Sequence, residues 1–318
     1  MKYDLITSGY CALDRIIKTE TQPATGKTSI VTNKNHAEIY YGGCNVNVAY
    51  NLAKLGKIAT PIFRVGYDYE STGFYQYLKN GNVNLDAVQK LDFEATSSTY
   101  LVETPDNEHI TLFYPGAMDK KYHIAYEDSW FENTKCALMT VASLADNKDF
   151  LNKVIKHKIP LFLGMKMDSD AFPKPFLKEC LNQVEVLFAN KSEAACIVDL
   201  YDLNNINELL TTLPNIKVIV TTKGKLGSIA TYRVKDTLKT ETVEIVKAEK
   251  VIDTVGSGDA YVAGYIYGYL NNETIKKSME YGSTLASFVI EGLGSTASSP
   301  TEEEFIKRYT NNYNKGNS

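Results

Sequence analysis

The stretch VIDTVGSGDAYVAGY, Val251 to Tyr265, decides the fold. Three small residues, Gly256, Ser257 and Gly258, precede Asp259 and a long apolar run. Apolar and aromatic side chains then recur at helical spacing, which predicts a helix that begins at the small residues. A helix start offers unpaired backbone N–H groups and the positive end of the dipole, and glycines let an anion approach closely. The stretch therefore indicates a phosphate site beside a carboxylate, which suits phosphoryl transfer with Asp259 as the base.

The composition is that of an ordinary globular protein, with 44% hydrophobic and 23% charged residues among 318. A net charge of −4 with dispersed lysines and arginines argues against nucleic-acid binding. The N-terminal sequence lacks the apolar core of a signal peptide, and no apolar run reaches the roughly 18 residues of a membrane helix. Five cysteines without a CxxC pair favour reduced thiols, so we expect a cytoplasmic protein that binds no membrane.

Strand-like apolar runs alternate with helical patterns along the chain, which predicts parallel βαβ units and an α/β fold. The predicted strands are 3–8, 58–65, 136–141, 160–163, 184–189 and 216–221. The predicted helices are 45–55, 70–80, 147–157, 191–198, 258–271, 273–291 and 302–312. We expect a single domain over residues 1–318.

Two stretches, residues 15–41 and 97–114, break this alternation. Both show alternating strand patterns without helices between them, and TPDNEH at 104–109 is a good hairpin turn. We expect these two stretches to form a small sheet that stands off the main domain as a lid.

A second cluster of small residues, YYGGCNVNVAYNLAKLG, runs from Tyr40 to Gly56. Gly42 and Gly43 close a strand and open a helix, and Asn47 lies in its first turn, where a side-chain amide can face a ligand across the glycines. Taken alone, this cluster equally fits a plain strand–turn–helix junction.

Together, the two clusters resemble the signatures of the PfkB carbohydrate kinase family, and the resemblance covers essentially the whole chain. The N-terminal signature is matched by Gly42, Gly43, Asn47, Ala49, Gly56 and Gly66. The C-terminal signature is matched by Asp253, Gly256, Ser257, Gly258, Asp259, Ala263 and Gly264. Asn45 departs from the Gly, Ala or Pro that is usual at its position. The resemblance implies a ribokinase-like three-layer α/β domain with a mostly parallel central sheet and a small β-sheet lid.

The resemblance also implies ATP as the phosphoryl donor, Mg²⁺ as the metal and roles for particular residues. Asp259 would be the catalytic base, with Gly256, Ser257 and Gly258 as the anion hole. Asp14, Gly42, Gly43 and Asn47 would bind the acceptor. The residues implied on the nucleotide side are Asn190, Thr222, Gly224, Gly227 and Asp253, with Glu193 organising Mg²⁺ through water.

Three further features of the family bear on this chain. The segment FANKSEA, which contains Asn190 and Glu193, also reads as a helix N-cap with a capping box, and both roles are compatible. The segment GSTLASFVIEGLGS resembles the helix pair that flanks the adenine and a monovalent-cation site, such as one for K⁺. Where many relatives carry Asp-Pro-Asn, this chain has LFLGMKMDSD, with Gly164 in place of the aspartate.

The identity of the acceptor is less defined, because Asp14 and Asn47 suit hydroxyls of sugars and nucleosides alike. Stretches such as YYGG and ITLFYPGAM look most like the nucleoside-kinase branch. A nucleobase also needs apolar, stackable walls, and alternation along the lid strand puts Phe113 and Tyr114 on opposite faces. We take Phe113 as the candidate that faces the substrate and favour an adenosine-like nucleoside, with ribose, fructose or a related sugar as the alternative.

Two further hypotheses concern partners. A kinase-fold protein that only binds a metabolite and regulates is disfavoured, because Asp259, Gly256 and Gly258 are all present. The edges of a small sheet need cover, and related kinases often provide it by pairing two lids in a homodimer. We therefore expect a small-molecule acceptor and pairing of this chain with itself.

Overall fold

The computed structural model describes residues 2–106, 108–166, 168–235 and 237–313. Its strands are β1 Tyr3–Ser8, β2 Ala12–Lys18, β3 Tyr40–Gly42, β4 Ala59–Gly66, β5 Val88–Leu91, β6 Ser98–Glu103, β7 His109–Tyr114, β8 Thr134–Met139, β9 Leu161–Gly164, β10 Val184–Asn190, β11 Val218–Thr222, β12 Ser228–Val234 and β13 Thr237–Val243.

Its helices are α1 Cys44–Lys54, α2 Phe74–Asn80, α3 Asp128–Phe131, α4 Leu144–His157, α5 Lys174–Leu181, α6 Lys191–Tyr201, α7 Leu209–Thr212, α8 Ser257–Leu270, α9 Ile275–Val289 and α10 Glu302–Tyr313. None of the helices in the described part of the chain is both long enough and apolar enough to cross a bilayer.

Two sheets organise these elements. The large sheet has the order β13-β12-β11-β10-β9-β8-β1-β4-β5, and the small sheet has the order β3-β2-β6-β7. Neighbouring strands from β5 to β11 are parallel, while β12 and β13 continue the large sheet in antiparallel fashion. The predicted α/β fold, with a mostly parallel central sheet and a second small sheet, is confirmed.

Both faces of the large sheet are covered by helices, because its strands are apolar on both sides. Leu5 of β1 belongs to a core cluster that includes residues of α1, α8, α9 and α10. Its neighbour Ile6 belongs to a second cluster that includes residues of α4, α5, α6 and α7. Adjacent strand residues point to opposite faces, so the two clusters are the two layers of packing in a three-layer structure.

The order of strands reverses at β1, since β4 and β8 flank it on opposite sides. In open α/β sheets, ligands bind in the crevice that such a reversal leaves at the carboxyl ends of the strands. Gly9 follows β1 at this point, and a Cβ there would lie 2.0 Å from Thr140 Oγ1 and 2.7 Å from Asn45 Cβ. The start of α1 is thereby held close against the carboxyl end of β1.

The structure differs from the predicted elements in two respects. Strand β5, the hairpin β12–β13 and helices α3, α5 and α7 were not predicted, and residues 19–39 contain only the isolated bridge between Thr19 and Val31 rather than strands. Asn33 provides a reason, because its side chain accepts a hydrogen bond from Lys18 N (2.8 Å) and donates one to Ile16 O (2.9 Å). A side chain thus occupies backbone groups that a strand partner would use. The TPDNEH turn includes Asn107, which lies outside the described residues.

Candidate active site

Helix α8 begins at the small residues of the stretch from Val251 to Tyr265. Gly256 is its N-cap, with a φ of 77°, and a Cβ there would lie 2.3 Å from the Cβ of Ser295. Only glycine suits both this left-handed conformation and this close approach. Ser257, Gly258 and Asp259 form the first turn, and a Cβ at Gly258 would meet no atom within 4 Å. Gly258 therefore leaves the space beside the first turn of α8 open.

The Asp259 carboxylate is tied to the other small-residue cluster. Asn47 Nδ2 donates to Asp259 Oδ2 at 2.7 Å, across 212 residues of sequence. The hydroxyl of Ser295 donates to Asn47 Oδ1 at 2.9 Å. Because its carbonyl oxygen is occupied in this way, the amide presents its NH₂ group to the carboxylate. One oxygen of Asp259 is thus fixed by α1.

The surroundings of Asp259 make it a stronger base than an exposed carboxylate. Burial raises the pKa of Asp259 above its ordinary value, whereas the Lys166 ammonium and the Asn47 amide act in the opposite direction. A carboxylate with a raised pKa accepts a proton more readily, which is the property that a general base requires.

Helix α1 begins beside Asp259 through an unusual backbone. Gly43 is its N-cap with a φ of 100°, and a Cβ there would lie 2.2 Å from Tyr10 O. The fully buried Asn45 donates from Nδ2 to Gly9 O and to Ile62 O, both at 2.9 Å. The departure from the family pattern at Asn45 therefore anchors the start of α1 to the residue after β1 and to the middle of β4.

Asp14 of the small sheet faces the same crevice. A Cβ on Gly42 would lie 2.7 Å from Asp14 Oδ2, 3.3 Å from Ser295 Oγ and 3.7 Å from Asn47 Oδ1. The space kept free by Gly42 thus adjoins three polar side chains. Burial raises the pKa of Asp14 to about 6, against the lowering effects of the Thr99 hydroxyl and of Lys166.

The register of the small sheet relates Phe113 to Asp14. Tyr40 pairs with Asp14, Asp14 with Thr99, and Thr99 with Phe113. Directly paired residues share a face, so these four side chains form one row across the sheet. The Phe113 ring contacts the Tyr10 ring edge-on, at 5.1 Å between centroids.

The nucleotide-side candidates lie at the carboxyl ends of β10 and β11. Asn190 caps α6 by accepting hydrogen bonds from the N–H groups of Ser192 (2.9 Å) and Glu193 (3.0 Å), and Glu193 Oε2 accepts the Asn190 N–H at 2.8 Å. Thr222 pairs with Asn190 across the two strands. Burial raises the pKa of Glu193, although the Asn190 N–H and Lys166 lower it.

The remaining candidates belong to turns next to these elements. Gly224 and Gly227 flank the turn between β11 and β12, with φ values of 56° and 81°. Asp253 accepts hydrogen bonds from Val255 N at 2.9 Å and from Gly294 N at 3.0 Å, which joins the loop before α8 to the loop that carries Ser295.

The structure therefore gathers Asp14, Gly42, Asn47 and Asp259 at one point, with Glu193 near enough for its pKa to respond to Asp259. Among the described residues, no hydrogen bond or ion pair joins the turn at Gly224–Leu226 to these four residues. Sequence reasoning missed three residues that touch or influence them: Ser295, Thr99 and Lys166. The only signal in the sequence was proximity to recognised segments. Ser295 is the last residue of GSTLASFVIEGLGS, and Lys166 lies in LFLGMKMDSD, which departs from the family motif.

The chain was compared with protein-family models and with known proteins. The family model for pfkB family carbohydrate kinases matches residues 3–302. A nucleoside kinase of Methanocaldococcus jannaschii is 30% identical over 313 residues, which cover 94% of this chain and 94% of that protein.

Two solved structures are also similar. The M. jannaschii nucleoside kinase structure, described as an archaeal member of the ribokinase family, matches with a TM-score of 0.86 at 28% identity, covering 98% of this chain and 99% of that chain. A Burkholderia thailandensis nucleoside kinase in complex with inosine shares the fold, with a TM-score of 0.86 at 21% identity and coverage of 98% and 99%. Given the family match over nearly its whole length, this protein belongs to the pfkB family of carbohydrate kinases, which are phosphotransferases that act on a hydroxyl group.

Proposed function

We propose that this protein transfers the γ-phosphoryl group of ATP to the primary hydroxyl of a nucleoside. The observation that carries the phosphoryl-transfer chemistry is the oriented, half-buried carboxylate of Asp259 at the open N-terminus of α8. The nucleoside is supported by the relative at 30% identity, which is named a nucleoside kinase.

The proposed base is Asp259. As the acceptor oxygen forms its bond to the γ-phosphorus, Asp259 would accept the hydroxyl proton, and the bond from that phosphorus to the bridging oxygen of ADP would break. The N–H groups of Gly256, Ser257 and Gly258 would stabilise the charge on the transferred phosphoryl oxygens. The 2.7 Å bond from Asn47 holds one carboxylate oxygen, and the other can then face the hydroxyl.

The proposed acceptor site is the space above Gly42 and Gly43. Asp14 would accept hydrogen bonds from ribose hydroxyls, and Asn47 would contact the same sugar. A side chain on Gly42 would fill this space, because its Cβ would approach Asp14 Oδ2 to 2.7 Å. Phe113, in the same row as Asp14, would stack on the base.

Kinases of this family use ATP, usually with Mg²⁺, and the residues present fit both. We propose that Asn190, Thr222, Gly224, Gly227 and Asp253 surround the nucleotide. Among the described residues, no three acidic, histidine or cysteine side chains cluster to hold a metal. Glu193 fits a water-mediated role, because Mg²⁺ retains its hydration and uses few protein carboxylates. Bound Mg²⁺ would neutralise phosphate charge.

A monovalent cation such as K⁺ is a further proposal, for the loops that Asp253 joins. Its carboxylate links the loop before α8 to Gly294, next to Ser295. A cation bound at these loops would adjoin the N-terminus of α8.

The proposed acceptor is tested by a substrate panel with ATP and Mg²⁺. We expect the highest kcat/KM for one of adenosine, inosine, guanosine, cytidine or uridine, with ribose and fructose well below, because only nucleosides offer a base to stack. Phosphorylated products are measured by chromatography. A free sugar with the highest kcat/KM would make this protein a sugar kinase, and a folded protein without turnover on any acceptor would point to a binding role.

Replacing the proposed base tests the mechanism. Asp259→Asn should lower kcat by about 10²–10⁴-fold, the usual contribution of a general base, while ATP affinity measured by calorimetry stays nearly unchanged. In the wild type, kcat should fall on acidification at a pH above the range of an ordinary carboxyl group, because burial raises the pKa of Asp259. The exposed Asp199→Asn is the matched control. Wild-type kcat in a folded Asp259→Asn protein contradicts the assignment.

Phe113 and Tyr114 separate stacking from packing. Phe113→Ala should weaken nucleoside binding by on the order of 1–3 kcal/mol, the scale of base–aromatic stacking, and should affect ribose little. Tyr114→Ala is the control, because Tyr114 lies on the opposite face and its hydroxyl donates to Glu94 Oε1 at 2.5 Å. The readout is KM for the nucleoside and for ribose. Equal effects on both acceptors count against the nucleoside.

We also propose that two copies pair through their small sheets. Tyr100, Leu112 and Tyr114 lie on the face opposite Asp14 and are 38%, 56% and 46% exposed. Burying these side chains against a second copy would stabilise a dimer. Sedimentation equilibrium should give a dimer for the wild type and for the control Leu226→Lys, and a monomer for Leu112→Lys. A monomeric wild type at all concentrations excludes the pairing.

A further inference from the structure

Lys166 is the charged residue of the crevice that the proposed mechanism leaves without a role. It lies two residues beyond β9, in the segment LFLGMKMDSD, and its side chain is exposed. No carboxylate of the described residues lies within 4.0 Å of its ammonium group. A protonated lysine in a cleft, without an ion-pair partner, is available to a ligand.

The backbone places Lys166 opposite the start of α8. Gly164 pairs with Phe188 of β10, and a Cβ on Gly164 would lie 4.0 Å from Val262 Cγ2. Val262 and Asp259 are about one helical turn apart in α8, so the end of β9 lies near the Asp259 carboxylate. Lys166 follows Gly164 by only two residues, at most about 7 Å of extended chain, so its long side chain can reach the first turn of α8.

The charges in the crevice support this placement. Lys166 acts to lower the pKa values of Asp259, Asp14 and Glu193, each of which burial raises. No other cation of the described residues contributes to these three shifts. In return Cys44, then Asp259 and Asp14, raise the pKa of Lys166 itself, so the ammonium stays protonated at neutral pH.

These three carboxylates lie on both sides of the proposed phosphoryl transfer. Asp14 and Asp259 lie on the acceptor side, and Glu193 lies on the nucleotide side. Lys166 influences carboxylates on both sides, so it lies within electrostatic range of the acceptor side and of the nucleotide side. Triphosphate charge brought next to three carboxylates is repulsive, and the repulsion is stronger at partly buried groups than in bulk water.

We propose that the ammonium of Lys166 contacts the phosphoryl group that moves from ATP to the acceptor. This inference rests on the proposed function. The group carries its charge on three oxygens while the bond to the acceptor oxygen forms and the bond to the ADP oxygen breaks, and the acceptor proton goes to Asp259. Lys166 would act on these oxygens from the side opposite the N–H groups of α8, as a positioned cation does in other phosphoryl transfers.

Nucleotide affinity tests the contact without any acceptor. Calorimetry with Mg²⁺ compares the non-hydrolysable ATP analogue adenylyl imidodiphosphate with ADP, which lacks the transferred group. Lys166→Met should weaken binding of the analogue by about tenfold or more, the scale of a charged hydrogen bond, and leave ADP nearly unchanged. Lys166→Arg, which keeps the charge, should recover much of the affinity, and the exposed Lys174→Met is the control. Equal losses for both nucleotides, or none, overturn the proposal.

Turnover gives a second, independent readout with the best acceptor of the panel. Lys166→Met should lower kcat by about 100-fold at unchanged acceptor KM, and its melting temperature should stay that of the wild type. Since Lys166 lowers the pKa of Asp259, its loss should move the acidic limb of the kcat profile to higher pH. A purely structural role would not move that limb, and a kcat within about twofold of wild type overturns the proposal. A wild type that phosphorylates no nucleoside refutes the proposed function alone, because the nucleotide comparison still decides the role of Lys166.

Discussion

The crevice depends on one hydrogen bond, from the Asn47 amide to the Asp259 carboxylate at 2.7 Å. It joins the first turns of α1 and α8, which pack together although one follows the small sheet and the other lies near the end of the chain. Ser295 removes the rotational ambiguity of the amide by donating to its oxygen. Displacement of either helix would break these two hydrogen bonds. The position of the Asp259 carboxylate therefore depends on the packing of α1 against α8.

The same crevice carries an electrostatic cost. Burial raises the pKa values of Asp14, Asp259 and Glu193, and a raised carboxyl pKa means that the ionised form is less stable in the fold than in the unfolded chain. For such a group the cost applies at neutral pH and is relieved as the pH falls through the folded pKa. The starts of α1, α6 and α8 and the charge of Lys166 partly offset this cost. One buried and two half-buried carboxylates at one edge of the sheet are better explained by chemistry than by stability.

The sequence predicted those parts of the fold that rest on local patterns. The helix after Gly258 and the strand at residues 3–8 come from periodicity alone, and the structure has both. The prediction of strands within residues 19–39 was wrong, because the side chain of Asn33 makes the hydrogen bonds to β2 that a strand partner would have made. The hairpin β12–β13 was missed since its exposed edge strand, with threonine and lysine, lacks the apolar run by which buried strands are recognised.

For the candidate site, residue types were predictable and distances were not. Asp259 and Asn47 were singled out from glycine-rich stretches, yet nothing local indicates that their side chains meet. Departures from the family pattern are the instructive cases. Asn45 replaces a small residue and uses its larger side chain to bind Gly9 O and Ile62 O, so the left-handed turn at Gly43 survives the substitution. At Gly164 an expected carboxylate is absent and a lysine follows two residues later, which exchanges a negative charge for a positive one at a crevice that must receive phosphate. Both positions are mismatches to the family pattern, but they differ in their consequences. Asn45 preserves the local geometry, whereas the change at Gly164 and Lys166 alters the charge of the crevice.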